Sequence, residues 1–155
     1  MITRIAAEKD ITRIGELLLY VHSVHSSKRP DIFRRGSRKY TDEELSALLR
    51  DESYRIFVAD EDGEVAGYIF TIIEETKDSG SLNDRKNLYI DDLCVDTAYQ
   101  KRGVGTLLLN RARSEAKSLG CQSITLNVWE LNDGARIFYE KAGFSVMKTV
   151  LEEII

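Results

Sequence analysis

The stretch Tyr99-Gln100-Lys101-Arg102-Gly103-Val104-Gly105-Thr106 collects the residue types that hold an anion. It follows a run of strand formers and opens a helical pattern. The first N–H groups of a helix have no intrahelical partners and lie at the positive end of its dipole, so such a junction attracts phosphate. Gly103 and Gly105 have no side chain to keep a phosphate from the backbone, and Lys101 and Arg102 place charge beside it. The same glycines also suit plain close packing at a helix start. Other nucleotide motifs fit worse. Leu108 stands where a dinucleotide fingerprint requires its third glycine, and no Gly-Lys-Ser/Thr of a P-loop occurs.

Asp91 and Asp92 interrupt the run Leu88-Tyr89-Ile90-Asp91-Asp92-Leu93-Cys94-Val95, where a strand interior disfavours carboxylates. Alternation sends the pair to opposite faces unless a bulge intervenes. Either they are satisfied by backbone or a neighbouring arginine, or they handle protons. The second role needs burial to lift a carboxylate pKa from near 4. His22 and His25 have helical spacing but no third ligand nearby, so no metal is expected. With Arg29 and Asp31 they read as surface or cleft-lining residues, and Trp129 and Glu130 as a second border of the same cleft.

The elements that must position these residues follow from periodicity. Residues 2–5 read as a strand. Asp10 is a plausible N-cap for a helix bearing Ile11, Ile14, Leu17, Leu18 and Val21 on one face, and residues 22–35 read as a polar segment. Thr41 and Glu44 have capping-box spacing. Residues 54–60 and 65–74 flank a turn and predict a hairpin, and residues 87–95 a further strand. A helix runs from Gly103 to a stop at Gly120, followed by a strand over 123–128, a helix over 133–142 and a strand over 144–155. The order β-α-α-β-β-β-α-β-α-β predicts an α/β (α+β) fold, a mixed and mostly antiparallel sheet covered by helices, in a single domain over 1–155.

Composition narrows the function classes. A hydrophobic share of 43% and a charged share of 31% are those of a globular domain, and no apolar run approaches a membrane span. The formal charge of −4 argues against nucleic acid as a partner and favours cationic ligands. The start Met1-Ile2-Thr3-Arg4-Ile5 lacks a signal's apolar core. Cys94 and Cys121 read as free thiols of a reducing compartment, which predicts a cytoplasmic protein.

Two motifs together resemble the GNAT family of N-acetyltransferases. Its pyrophosphate motif Gln/Arg-x-x-Gly-x-Gly/Ala matches Gln100-Lys101-Arg102-Gly103-Val104-Gly105, behind an apolar-x-Val strand end matched by Leu93-Cys94-Val95. Its downstream pattern Asn-x-x-Ala-x-x-Phe-Tyr-x-x-x-Gly-Phe is matched by Asn132, Ala135, Phe138, Tyr139, Gly143 and Phe144. The resemblance implies acetyl-CoA as co-substrate. Pantetheine would lie between splayed strands against the backbone of Leu93, Cys94 and Val95, and the diphosphate would lie on the N–H groups of residues 101–106, Val104 and Thr106 included. Asn132 would help to fix the arm beside Ala135, although it is equally a good N-cap. Tyr139 falls where the family places its general acid, its alternative being a core aromatic beside Phe138. Asp91 falls where some relatives carry a carboxylate facing the acceptor, with Asp92 next to it. The family usually closes with two strands after its last helix, and about 12 residues remain here, enough for a shortened sheet or for a strand given to a dimer.

The reading is therefore direct acetyl transfer to a primary amine of a small, cationic molecule, with a homodimer as the common state among relatives. The alternatives are a protein or peptide N-acetyltransferase, or a non-catalytic acyl-CoA-binding module.

Overall fold

A computed structural model describes residues 1–155. It contains β1 (Ile2–Ile5), α1 (Ile11–Lys28), α2 (Asp42–Leu48), β2 (Tyr54–Glu61), β3 (Glu64–Thr76), β4 (Arg85–Val95), α3 (Val104–Ser118), β5 (Ser123–Leu126) and α4 (Asp133–Lys141). Short 3-10 turns occupy Glu8–Asp10 and Thr97–Tyr99. The sheet order is β1-β2-β3-β4-β5; the first four strands are antiparallel to their neighbours and β5 is parallel to β4. The expected mixed, mostly antiparallel sheet is what forms.

Each face of the sheet carries its own apolar cluster. Ile14, Leu17 and Leu18 of α1 and Leu45 of α2 pack on Ile56, Val58, Tyr68 and Phe70. On the other face Leu108, Leu109 and Ala112 of α3 pack on Phe57, Ile69, Leu88 and Ile90. Alternation along β2 and β3 sends successive side chains into these two clusters, so β2–β4 are buried from both sides. The β2–β3 turn needs left-handed backbone at Asp62 (φ 55°) and Gly63 (φ 93°). The predicted capping box is present: Glu44 N donates to Thr41 Oγ1 at 3.2 Å and Thr41 N to Glu44 Oε2 at 2.8 Å. No helix is long and apolar enough to cross a membrane.

Three expectations need correction. Asp10 does not cap α1 with its side chain. Its carboxylate accepts from both Arg4 Nη atoms (2.7 and 2.9 Å) and from Ala7 N (2.8 Å), tying β1 to the turn. Next, α1 continues to Lys28, over the first half of the segment read as polar. Ser23 and Ser27 satisfy their hydroxyls on the carbonyls of Tyr20 and Val24 in the preceding turn, so polar residues cost the helix little. Last, residues 144–155 form no strand. From residue 145 onward every residue is exposed and no backbone group is hydrogen-bonded within the chain. A strand needs a partner edge, and this segment lies along none.

Candidate active site

β4 and β5 pair at Asn87↔Ser123, Leu88↔Ile124, Tyr89↔Thr125 and Ile90↔Leu126, and no further. β5 stops there, two residues short of its expected end, and the chain turns away through Asn127. β4 runs on to Val95 with β3 as its only neighbour, so one edge of residues 91–95 lacks a strand partner. Leu93 and Val95 send their side chains to the α3 cluster, and Cys94 is buried on the α1 side with Sγ 3.8 Å from Leu17 O. Whatever enters the gap meets the backbone of these three residues. Gln100 borders the same place, donating from Nε2 to Val95 O at 3.3 Å.

Past Gln100 the backbone makes the shape an anion needs. Lys101 (φ 61°) and Gly103 (φ 81°) both take left-handed conformations that turn the chain sharply into α3. None of the N–H groups of residues 101–106, Val104 and Thr106 included, donates to another group of the protein. A Cβ at Gly103 would meet nothing within 4 Å, so the space above it is open. The two glycines turn out to differ. A Cβ at Gly105 would sit 3.3 Å from Phe138 Cζ, so its bareness makes room for α4 rather than for a ligand. Lys101 has no ion-pair partner, whereas Arg102 is held by Glu61 at 3.2 Å and lies over the Tyr99 ring.

The aspartates are arranged by a bulge. Phe70 pairs with Asp92 and Thr71 with Ile90, leaving Asp91 as the extra residue. The bulge reverses alternation: Leu88 and Ile90 face α3, while Cys94, of the same parity, faces α1. Asp92 moves with Cys94 and accepts from the buried Tyr68 hydroxyl at 3.1 Å. Asp91 has both oxygens engaged. Lys39 Nζ is 2.7 Å from Oδ1 and the Tyr40 hydroxyl 2.7 Å from Oδ2, with the Tyr40 ring stacked on Phe70. Burial pushes the Asp92 pKa up to about 6 against the opposing pull of Lys39 and Tyr68, with the charge of Asp91 adding to the rise.

Tyr139 is half-buried on α4, edge-on to Phe138 (5.0 Å) and Phe144 (5.4 Å). Its hydroxyl makes no hydrogen bond within the protein, and burial followed by the charge of Asp92 raises its pKa. Asn132 caps α4, its Oδ1 accepting from Ala135 N at 3.3 Å and its amide NH2 remaining free.

The end of α1 and the loop after β5 enclose a small cleft of about 60 Å³ bounded by His25, Phe33, Trp129 and Glu130. Phe33 lies 5.2 Å from His25 and 5.1 Å from Trp129, ring centre to ring centre. Burial, with the charges of His22, Lys28 and Lys39 behind it, lowers the pKa of His25. His22 Nε2 lies 2.7 Å from Arg34 O, and Arg29 pairs with Asp31. A larger hollow of about 440 Å³ between α1 and Arg38 contains none of these residues. No group of three His, Cys, Asp or Glu side chains is placed to hold a metal. Sequence reasoning missed Phe33, Lys39, Tyr40 and Tyr68. Nothing in their spacing points to the site, since a bulge and a long connection bring them there.

This geometry has counterparts in known proteins. The sequence profile of the Acetyltransferase (GNAT) family matches residues 20–144. The uncharacterized N-acetyltransferase YhfO of Bacillus subtilis is 35% identical over 101 residues, which cover 64% of this chain and 64% of YhfO. Streptothricin acetyltransferase A of the same organism is 30% identical over 122 residues, covering 74% of this chain and 69% of its own. Other curated relatives are longer, and the matched stretch spans about half their length, 44% and 47% in two of them. The solved tetramutant of the BH1408 protein from Bacillus halodurans is 29% identical and superposes with a TM-score of 0.96 over all of both chains, the irregular C-terminal segment included. With the motifs, the parted strands and the profile in agreement, the chain belongs to the Acetyltransferase (GNAT) family.

Proposed function

We propose that this protein transfers an acetyl group from acetyl-CoA directly to the primary amine of a small, cationic molecule. The observation that carries the reading is the row of undonated N–H groups in residues 101–106, opening where β4 and β5 part. Those groups, the helix dipole and the unpaired Lys101 suit a diphosphate. The free edge at Leu93, Cys94 and Val95 suits an amide-bearing arm that adds on as a strand does. Asn132 and Ala135 face that arm from α4, the Asn132 amide being free to donate. Bound acetyl-CoA supplies the activated acyl carbon, and proton handling falls to the chain.

An ammonium has no lone pair, so the acceptor must lose a proton before it attacks. Asp92 suits that task better than Asp91. With a pKa of about 6 it is ionised at neutral pH yet far more basic than an ordinary carboxylate, whereas both oxygens of Asp91 are already engaged. Asp91 then holds Lys39 and Tyr40 in place. Tyr139 stays protonated at any working pH and can donate to the departing thiolate. Full transfer to a thiol of pKa near 8.5 is uphill, so a strong hydrogen bond does most of this work. The carboxylates and the charge of −4 favour a cationic acceptor. Two free thiols favour the cytoplasm, and the reading includes a homodimer.

The test is incubation with acetyl-CoA and a broad set of amines, including polyamines, aminoglycosides and lysine-bearing peptides, with mass spectrometry of the products. Acetylated small cations are expected. Acetylated peptides alone would replace the acceptor class, and acetyl-CoA binding without any product would leave a binding module.

A further inference from the structure

One member of the cluster under α1 is not explained by packing. Tyr68 is 0% exposed, among Ile14, Leu17, Val58 and Phe70. Phe70, two residues along the same strand and equally buried, shows that a plain aromatic ring fits this layer. A hydroxyl there loses its water and is costly unless it finds a partner. Its partner is Oδ2 of Asp92, at 3.1 Å.

The register makes that reach possible. Phe70 lies directly opposite Asp92 and Tyr68 opposite Cys94, so Tyr68 is the diagonal neighbour of Asp92 across β3 and β4. A long aromatic side chain spans that diagonal. The nearer Cys94 thiol is turned away and donates to Leu17 O at 3.8 Å. Lys39 and Tyr40 donate to Asp91 instead, and Tyr68 is the only side chain hydrogen-bonded to Asp92. The second carboxylate oxygen, Oδ1, has no partner in the chain. Since no buried side-chain oxygen of the protein lacks a hydrogen bond, Oδ1 is open to solvent. One oxygen is held from inside the core and the other is left free.

We propose that Tyr68 is a positioning residue of the transfer: its hydroxyl holds Oδ2 of Asp92 and thereby aims Oδ1 at the acceptor's ammonium. The proton passes from the amine nitrogen to Oδ1, and the lone pair so freed attacks the thioester carbon. Tyr68 keeps its own proton throughout. A held carboxylate serves better than a mobile one, because proton transfer needs the accepting atom within hydrogen-bond reach as the amine closes on the thioester. The inference rests on Asp92 as the proton acceptor in the reading above.

Tyr68→Phe removes one oxygen and keeps the ring, so the circular dichroism and the melting shift with acetyl-CoA should be unchanged. Its kcat should fall about tenfold, the worth of one hydrogen bond to a charged group, with KM for acetyl-CoA unaltered. The other titratable groups around Asp92 all remain in this variant: Lys39 from the α1–α2 connection, Asp91 and Cys94 on β4, and Tyr139 on α4. Loss of the donor to the ionised carboxylate should therefore move the acidic limb of kcat/KM above the parent's value of about 6. Carbon-13 NMR of the Asp92 carboxyl carbon should show the same displacement with no acceptor present. The rate loss should persist on the plateau above the limb, where Asp92 is ionised in both proteins and only its orientation differs. In the Asp92→Asn background Tyr68→Phe should cost nothing further, since both changes act through one group. An unchanged rate and limb in Tyr68→Phe, or a full additional loss in the double variant, overturns the proposal. If Asp92→Asn loses rate and limb while Tyr68→Phe does not, the proposal alone falls. If Asp92→Asn keeps both, the assignment of Asp92 falls and takes the proposal with it.

Discussion

The segment from β1 to α3 and the segment after it contribute to the same site on different terms. The first packs helices on both faces of four strands and contains every buried residue of the chain. It fixes Asp92 through a bulge and a buried tyrosine, and it fixes the anion loop through two left-handed residues. The second supplies Trp129, Asn132 and Tyr139 from elements that bury nothing. A packed scaffold thus sets the charges, while a loosely held flank carries Tyr139, the group proposed to meet the leaving thiolate. The loose side is the one expected to tighten when a ligand or a second copy covers it.

The sharpest break of that contrast falls on the anion loop. Gly103→Val should abolish the stabilisation of about 2–4 kcal/mol that acetyl-CoA gives at 100–1,000 times its dissociation constant, read as a lost melting shift. Both variants should melt lower without ligand, Gly103→Val through strain at its left-handed φ and Gly105→Val through the contact with Phe138, but only Gly105→Val should keep a ligand-induced shift. Matching behaviour of the two variants would erase the distinction between a binding and a packing glycine. On the loose flank, Tyr139→Phe should slow turnover by about 10²-fold while leaving acetyl-CoA affinity intact. Unchanged turnover would return Tyr139 to a packing role.

Within the packed scaffold a smaller effect has the opposite sign. The folded pKa of Asp92 is raised, so between about 4 and 6 the folded state holds more protons than the unfolded one, and stability falls as pH rises through that window. Asp92→Asn should therefore stabilise the protein at pH 7 by about 1–3 kcal/mol, with no gain near pH 4. Equal melting shifts at both pH values would contradict the burial assigned to this carboxylate. The smallest effect belongs to Lys39→Ala. Removing a charge that lowers the Asp92 pKa should move the acidic limb of the rate profile upward, and a downward move would reverse the assigned coupling.

Much of this could be read before any coordinates. The loop residues Gln100 to Gly105 and the Asn132–Tyr139 pattern lie within single local elements, so their spacing carries their placement. The elements themselves follow from apolar periodicity up to α4. The Asp91 and Asp92 geometry depends on register, where one extra residue swaps faces, and alternation alone gives no sign of where the bulge falls. Lys39 and Tyr40 reach the site from a connection whose length hides its path. Residues 144–155 have strand chemistry, but a strand is a property of two segments, and no strand of the sheet pairs with this one.

The most direct test of the catalytic account is the pH dependence of kcat/KM for one good acceptor in the parent protein, Asp92→Asn and Asp91→Asn. The account predicts that the parent rate rises through an acidic limb near pH 6, the value set by the burial of Asp92. Asp92→Asn should lose about 10²-fold and that limb with it, while Asp91→Asn should keep the limb and lose less. A larger loss in Asp91→Asn, or a limb that survives in Asp92→Asn, would contradict Asp92 as the group that takes the proton.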